Sequence, residues 1–78
     1  MSWSTISPTI QAIAEDALTD KQLATWKLEL AGWGHRKIGL HLGITRATVR
    51  DHLDATHLKL TQHGIRQDAS GHYHQEAA

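Results

Sequence analysis

Arg46, Ala47, Arg50 and Asp51 fall within two turns of one predicted helix and carry the groups that read base-pair edges. A guanidinium gives two parallel hydrogen bonds to O6 and N7 of guanine, the short Ala47 side chain meets a thymine methyl, and the Asp51 carboxylate accepts from a cytosine amino group. Asp51 has a second use, holding an arginine in place. Arg36, Lys37, Thr45 and Thr48 suit phosphate oxygens, which fix register without reading sequence. Thr48 has an alternative in its own helix backbone, and the competing reading of the whole set is a solvated, arginine-rich face.

The elements that must position these groups lie in the run from Arg36 to Leu53, RKIGLHLGITRATVRDHL. Ile38 and Leu42 stand four apart on one helical face, and Gly39 beside Ile38 is small enough to let another helix approach. Gly43 follows the last apolar residue, where a left-handed backbone closes a helix at no steric cost to glycine. Ile44 plugs the corner, and Thr45 supplies an N-cap hydroxyl for the next helix. Val49, Leu53, Thr56 and Leu60 continue that helix's inward stripe. Two short helices joined by a glycine turn form a helix-turn-helix, whose second helix lies in the major groove of DNA.

The stretch from Leu18 to Leu60 resembles the tetrahelical helix-turn-helix shared by LuxR/GerE-type regulators and region 4 of sigma-70 factors, over just over half of the chain. The resemblance rests on the LT-x-x-Q opening at Leu18, Thr19 and Gln22, on Gly32 and Ile38, on the Leu42-Gly43-Ile44 corner, and on Thr48-Val49-Arg50 with Leu53. Two departures stand out: Gly39 replaces the usual alanine, and the helix from Arg46 runs on to about Gln62, longer than the LuxR pattern and closer to sigma region 4. The resemblance implies DNA binding by a small bacterial or phage regulator and no particular regulon.

Composition limits the alternatives. Seventy-eight residues, 40% of them apolar, suffice for one small domain and for no enzyme-sized cleft. There is no cysteine, which removes disulfides and thiolate zinc sites. His52, His57 and His63 miss the four-residue spacing that sets two ligands on one helical face, so neither a metal site nor another cofactor is expected. A Gly-rich phosphate loop, a nucleophile elbow and a carboxylate pair are also missing, and no catalysis or small-molecule substrate is predicted. With no apolar run of membrane length and no basic or apolar leader in MSWSTISPT, the expected location is the cytoplasm: nucleoid-associated, or in a host cell if phage-encoded.

Net charge is zero, yet the charges are segregated. From His35 to Arg66 six basic residues face two acidic ones, for +4, while the segments before and after each carry −2. The positive segment coincides with the predicted helix-turn-helix, the footprint that phosphate binding requires. Five of the seven histidines lie within it, so mild acid adds positive charge there.

The expected fold class is all-α, a four-helix domain over 1–66 with the helix-turn-helix proper at about 35–54. Ser7 and Pro8 open the first helix, which turns Ile10, Ile13, Ala14 and Ala17 inward and ends near Leu18. Thr19 and Gln22 form a capping box for the second, with Leu23, Trp26 and Leu30 buried and Gly32 as its stop. The third runs from about Gly34 to Leu42 and the fourth from Arg46 to a stop at Gly64. Residues 67–78 have little apolar content and no period, and predict a frayed, flexible tail.

Trp26 belongs to the core by its place on the inward stripe. Trp33 between two glycines clamps the loop into the third helix, with a phosphate or sugar contact through its indole N–H as the alternative. Trp3 lies outside any period. Leu28, Leu40 and Leu58 do not fit the inward faces. They are either ordinary exposed leucines or a surface for a homodimer, RNA polymerase, a sigma factor or another regulator. The expected partner is double-stranded DNA, bound sequence-specifically by a transcriptional regulator. The alternative is a protein-interaction module that uses those leucines.

Overall fold

The computed structural model describes residues 2–76. A single 3-10 turn at Trp3–Thr5 leads into four helices, α1 (Pro8–Ala17), α2 (Asp20–Leu30), α3 (His35–Leu42) and α4 (Arg46–Gln62), followed by two short strands, β1 (Ile65–Gln67) and β2 (Tyr73–Gln75).

The helix starts follow the capping chemistry. The Ser7 hydroxyl accepts from the Ile10 N–H at 3.3 Å with Pro8 in the first helical position. At α2, Gln22 N–H donates to Thr19 Oγ1 at 3.2 Å and Thr19 N–H to Gln22 Oε1 at 3.1 Å, the reciprocal pair of a capping box. The end of α2 matters more for the architecture. Gly32 takes a left-handed φ of +90°, its N–H reaches Glu29 O at 2.9 Å, and Trp33 N–H reaches Leu28 O at 3.1 Å. These two bonds are those of a Schellman motif, which brings the residue after the glycine back over the last full turn of the helix.

That turn corrects one expectation. Leu28 is half-buried, packed with Trp33, Leu42 and Ile44 against a cluster of Ile38, Val49 and Leu53. The Schellman geometry folds Trp33 and the start of α3 over the side of α2 that helical periodicity alone assigns to the outside.

A second cluster gathers Ile6, Ile10, Ala14, Leu18, Trp26, Leu30, Leu60 and Ile65, with Trp3, Ile13, Leu23 and Tyr73 against it. Trp26 is 0% exposed at its centre. Trp3 meets its ring edge-on at 5.8 Å between centroids and Tyr73 at 5.5 Å, so the segments flanking the helices close over one indole. The first half of α4 serves one cluster through Val49 and Leu53, and the second half serves the other through Leu60.

The chain is mostly helical and not all-α. Where a frayed tail was expected, β1 and β2 pair antiparallel with Ile65 opposite Gln75, Arg66 opposite His74 and Gln67 opposite Tyr73. Gly64 (φ +75°) ends α4 and starts the hairpin, and its carbonyl accepts from Glu76 N–H at 2.8 Å. The turn is built on Asp68, whose Oδ1 accepts from the N–H groups of Ser70 (2.9 Å) and His72 (3.0 Å) while Oδ2 meets His74 Nε2 at 2.7 Å. Gly71 closes it at φ +89°. Buried Ile65 and half-buried Tyr73 anchor the hairpin to the core. The last residues of the expected tail, 77–78, lie outside the described residues. Among the described residues, no helix is long and apolar enough to cross a membrane.

Candidate nucleic-acid interface

The turn between α3 and α4 is tight because two donors share one acceptor. Gly43 sits at φ +69°, and its N–H and that of Ile44 both point to Gly39 O, the latter at 2.9 Å. Gly39 is buried, and a Cβ there would stand 2.7 Å from Ile44 O and 3.6 Å from Val49 Cγ2. The close approach expected of Gly39 is therefore made by the turn's own backbone first and by α4 second.

Thr45 caps α4 by accepting from Thr48 N–H at 3.1 Å, and the two threonine hydroxyls lie 2.9 Å apart. One hydroxyl proton is taken up by that pair, which leaves a single O–H between the two residues for an outside acceptor. Beyond the cap, Arg46, Ala47, Arg50 and Asp51 are all exposed on the first two turns of α4. Arg36 is exposed at the start of α3.

Lys37 is exposed as well, with a different environment. Its Nζ lies 4.1 Å from the centroid of the Trp33 ring, and His41 meets the same ring edge-on at 5.1 Å. Trp33, in the loop before α3, and Lys37 and His41 on α3 thus form a ridge at four-residue intervals, with the ammonium held against an aromatic face. That spacing was present in the sequence and was the signal for it.

The ion pairs among the described residues are Glu29 with His57, Arg66 with Glu76, and Asp68 with His72 and His74. None of them engages Arg36, Lys37, Arg46 or Arg50. The basic side chains near the α3–α4 turn keep their charge free of carboxylates, whereas Arg66 in β1 does not. Lys59 is also engaged, donating to Gln22 Oε1 at 2.8 Å and tying α4 to the cap of α2.

Of the three leucines set apart by the sequence, Leu40 (77% exposed) and Leu58 (60%) stand on the surface of α3 and α4, and Leu28 does not join them. Sequence reading missed the pair between His57 Nε2 and Glu29 Oε1 at 2.9 Å, which bridges α4 and α2 across 28 residues of chain. The Glu29 hydrogen bond raises the His57 pKa above its ordinary 6.5 against the opposing effect of burial, and the charges of Glu29 and Asp54 add to the rise. Among the described residues, no three His, Cys, Asp or Glu side chains group closely enough to hold a metal ion. Set against known protein families, characterised proteins and solved structures, the chain matches none.

Proposed function

We propose that this chain is a sequence-specific binder of double-stranded DNA that acts as a small transcriptional regulator, with α3 and α4 as a helix-turn-helix of the LuxR and sigma-70 region 4 type. In this reading α4 enters the major groove with Arg46, Ala47, Arg50 and Asp51 toward base edges. Arg36, Lys37 and the Thr45–Thr48 pair meet the phosphates. The observation that carries the reading is the set of exposed cations around a tight, glycine-closed helix corner, none of them ion-paired among the described residues. Charges kept available in this way suit phosphates and guanine edges.

The test is selection from a random double-stranded DNA library with the purified chain, beside a variant carrying Arg46→Ala and Arg50→Ala. An enriched motif that the double variant no longer selects supports the reading, and an inverted repeat would add a homodimer. Enrichment of the same motif by the variant would place the recognition surface elsewhere.

A second reading is favoured by the exposure of Leu40 and Leu58. A protein partner such as RNA polymerase or another regulator would lean on these two side chains. Loss of function in Leu40→Ser and Leu58→Ser variants, with the arginine pair dispensable, would favour it. For either reading the expected place of action is the cytoplasm, on the nucleoid or in a host cell if phage-encoded.

A further inference from the structure

The outer side of α4 is acidic where its flank is basic. At about 100° per residue, Val49, Leu53, Thr56 and Leu60 gather on the buried side and Ala47, Asp51, Asp54 and Leu58 on the side opposite, where all four are exposed. Arg46 stands to one flank of that outer line, and Arg50 lies between the two, about 40° around the helix from Asp54. Neither Asp51 nor Asp54 is ion-paired among the described residues. Asp54 acts on His57, one turn further along the helix, only through its charge.

This arrangement has a consequence for a helix lying in a major groove, and the inference rests on the DNA-binding reading above. The outer line then faces the groove floor, and Arg46 and Arg50 border it and reach base edges from the side. An ionised carboxylate only accepts hydrogen bonds. On the groove floor the donors are cytosine N4 and adenine N6, while guanine O6 and N7 and thymine O4 are acceptors. Every base pair carries one such amino group, so a carboxylate reads which strand bears it. Facing acceptors instead, it is a desolvated charge with no partner, a heavily penalised state. Asp51 and Asp54 are separated by a rise of about 4.5 Å along the helix, near the spacing of about 3.4 Å between successive base pairs.

We infer that Asp51 and Asp54 form a strand-reading filter, admitting duplex DNA whose two neighbouring base pairs turn cytosine or adenine toward α4 and rejecting those that turn guanine or thymine. Arg46 and Arg50 supply contacts to base acceptors, and the aspartates add to the selectivity by penalising every register that sets acceptors against them.

The experiment is library selection with the wild-type chain and with Asp51→Ala and Asp54→Ala, each followed by titration against scrambled duplex at fixed salt. Both changes fall on an exposed helix face and alanine is the best helix former, so the fold is retained, with circular dichroism as the control. The wild-type motif is expected to hold two adjacent positions restricted to cytosine or adenine on one strand, and each variant to lose one of them. A lost position means a preference of about tenfold falling to none, with scrambled DNA bound more tightly by both variants. Variants that keep the wild-type motif, or bind scrambled DNA no better, overturn the filter and leave the DNA-binding reading standing. A wild-type chain that selects no motif overturns both.

Discussion

Gly39 and Ile44 meet twice: the Ile44 N–H donates to Gly39 O at 2.9 Å, and the Ile44 carbonyl oxygen lies 2.7 Å from where a Cβ on residue 39 would stand. The corner is drawn in further than an alanine allows. The change Gly39→Ala forces a methyl group onto a backbone oxygen, an overpacking cost of about 1–3 kcal/mol, against which the better helix propensity of alanine offsets about 1 kcal/mol. The urea midpoint should fall. A midpoint that rises would show that the turn opens freely.

The basic residues separate by salt dependence. If α3 and α4 bind DNA as proposed, Arg36→Ala removes one phosphate contact and should lower the slope of log affinity against log salt by about 0.9 without altering the selected motif. Lys37→Ala should change the slope less, because its ammonium already lies over Trp33. Equal slopes for the two variants would mean that the stacked lysine swings free to the phosphate.

The bridge between Glu29 and His57 makes stability depend on pH with a definite sign. His57 has a folded pKa above its unfolded value, so the stabilisation is fully present below about pH 6.5 and lost as pH rises through the folded value. Both side chains are partly exposed, which holds the contribution to about 1 kcal/mol or less. Comparing thermal midpoints at acid and alkaline pH for the wild type and Glu29→Gln should show the difference shrinking in the variant. An unchanged difference would assign the effect to other histidines.

The hairpin should report on Trp26. Removing the ring with Tyr73→Ala forfeits an edge-on aromatic contact of about 0.5–1.5 kcal/mol and uncovers one side of the buried indole. The expected readout is a red shift of tryptophan emission with a lower midpoint. Asp68→Ala should give the same shift indirectly, since its carboxylate holds the turn. The His74 hydrogen bond, first among the causes, keeps the Asp68 carboxyl below the ordinary carboxylate range. Its contribution is therefore present above the unfolded pKa and lost as acid reaches the lower folded value. Emission that stays put in Tyr73→Ala would mean that Trp3 alone shields the indole.

The helices were legible because their ends are written in the sequence: Ser7-Pro8, the Thr19/Gln22 box and the Gly43–Thr45 corner each satisfy backbone groups locally. The hairpin was not, because strands of three residues carry no period and each contributes a single apolar anchor, Ile65 and Tyr73. Its signal was the Asp68 to Gly71 turn, a polar tract that reads equally well as a disordered tail. The burial of Leu28 escaped for another reason. It depends on how the Gly32 turn redirects the chain, a three-dimensional fact that helical spacing does not encode. In the candidate interface, charge segregation along the chain pointed to the segment in which Arg36, Lys37, Arg46 and Arg50 stand exposed and without ion-pair partners among the described residues. The four-residue spacing of Trp33 and Lys37 was there to be read in the sequence, and the stacking itself was seen in the fold.

Because α4 runs through two separate apolar clusters, the molecule has two thermodynamic tiers strung on one rod. The cluster around Ile38, Val49 and Leu53 is the smaller, and it rests on the eight-residue α3 and a glycine corner. The one around Trp26 draws on α1, α2, the end of α4 and the hairpin. Partial openings in which α3 detaches while α2 and the far half of α4 stay folded should therefore lie below global unfolding in free energy. Amide protons of α3 would exchange with solvent before those around Trp26, and any duplex that grips the corner would slow the first group far more than the second. The segment proposed to meet DNA is then also the one with most order left to gain from a ligand.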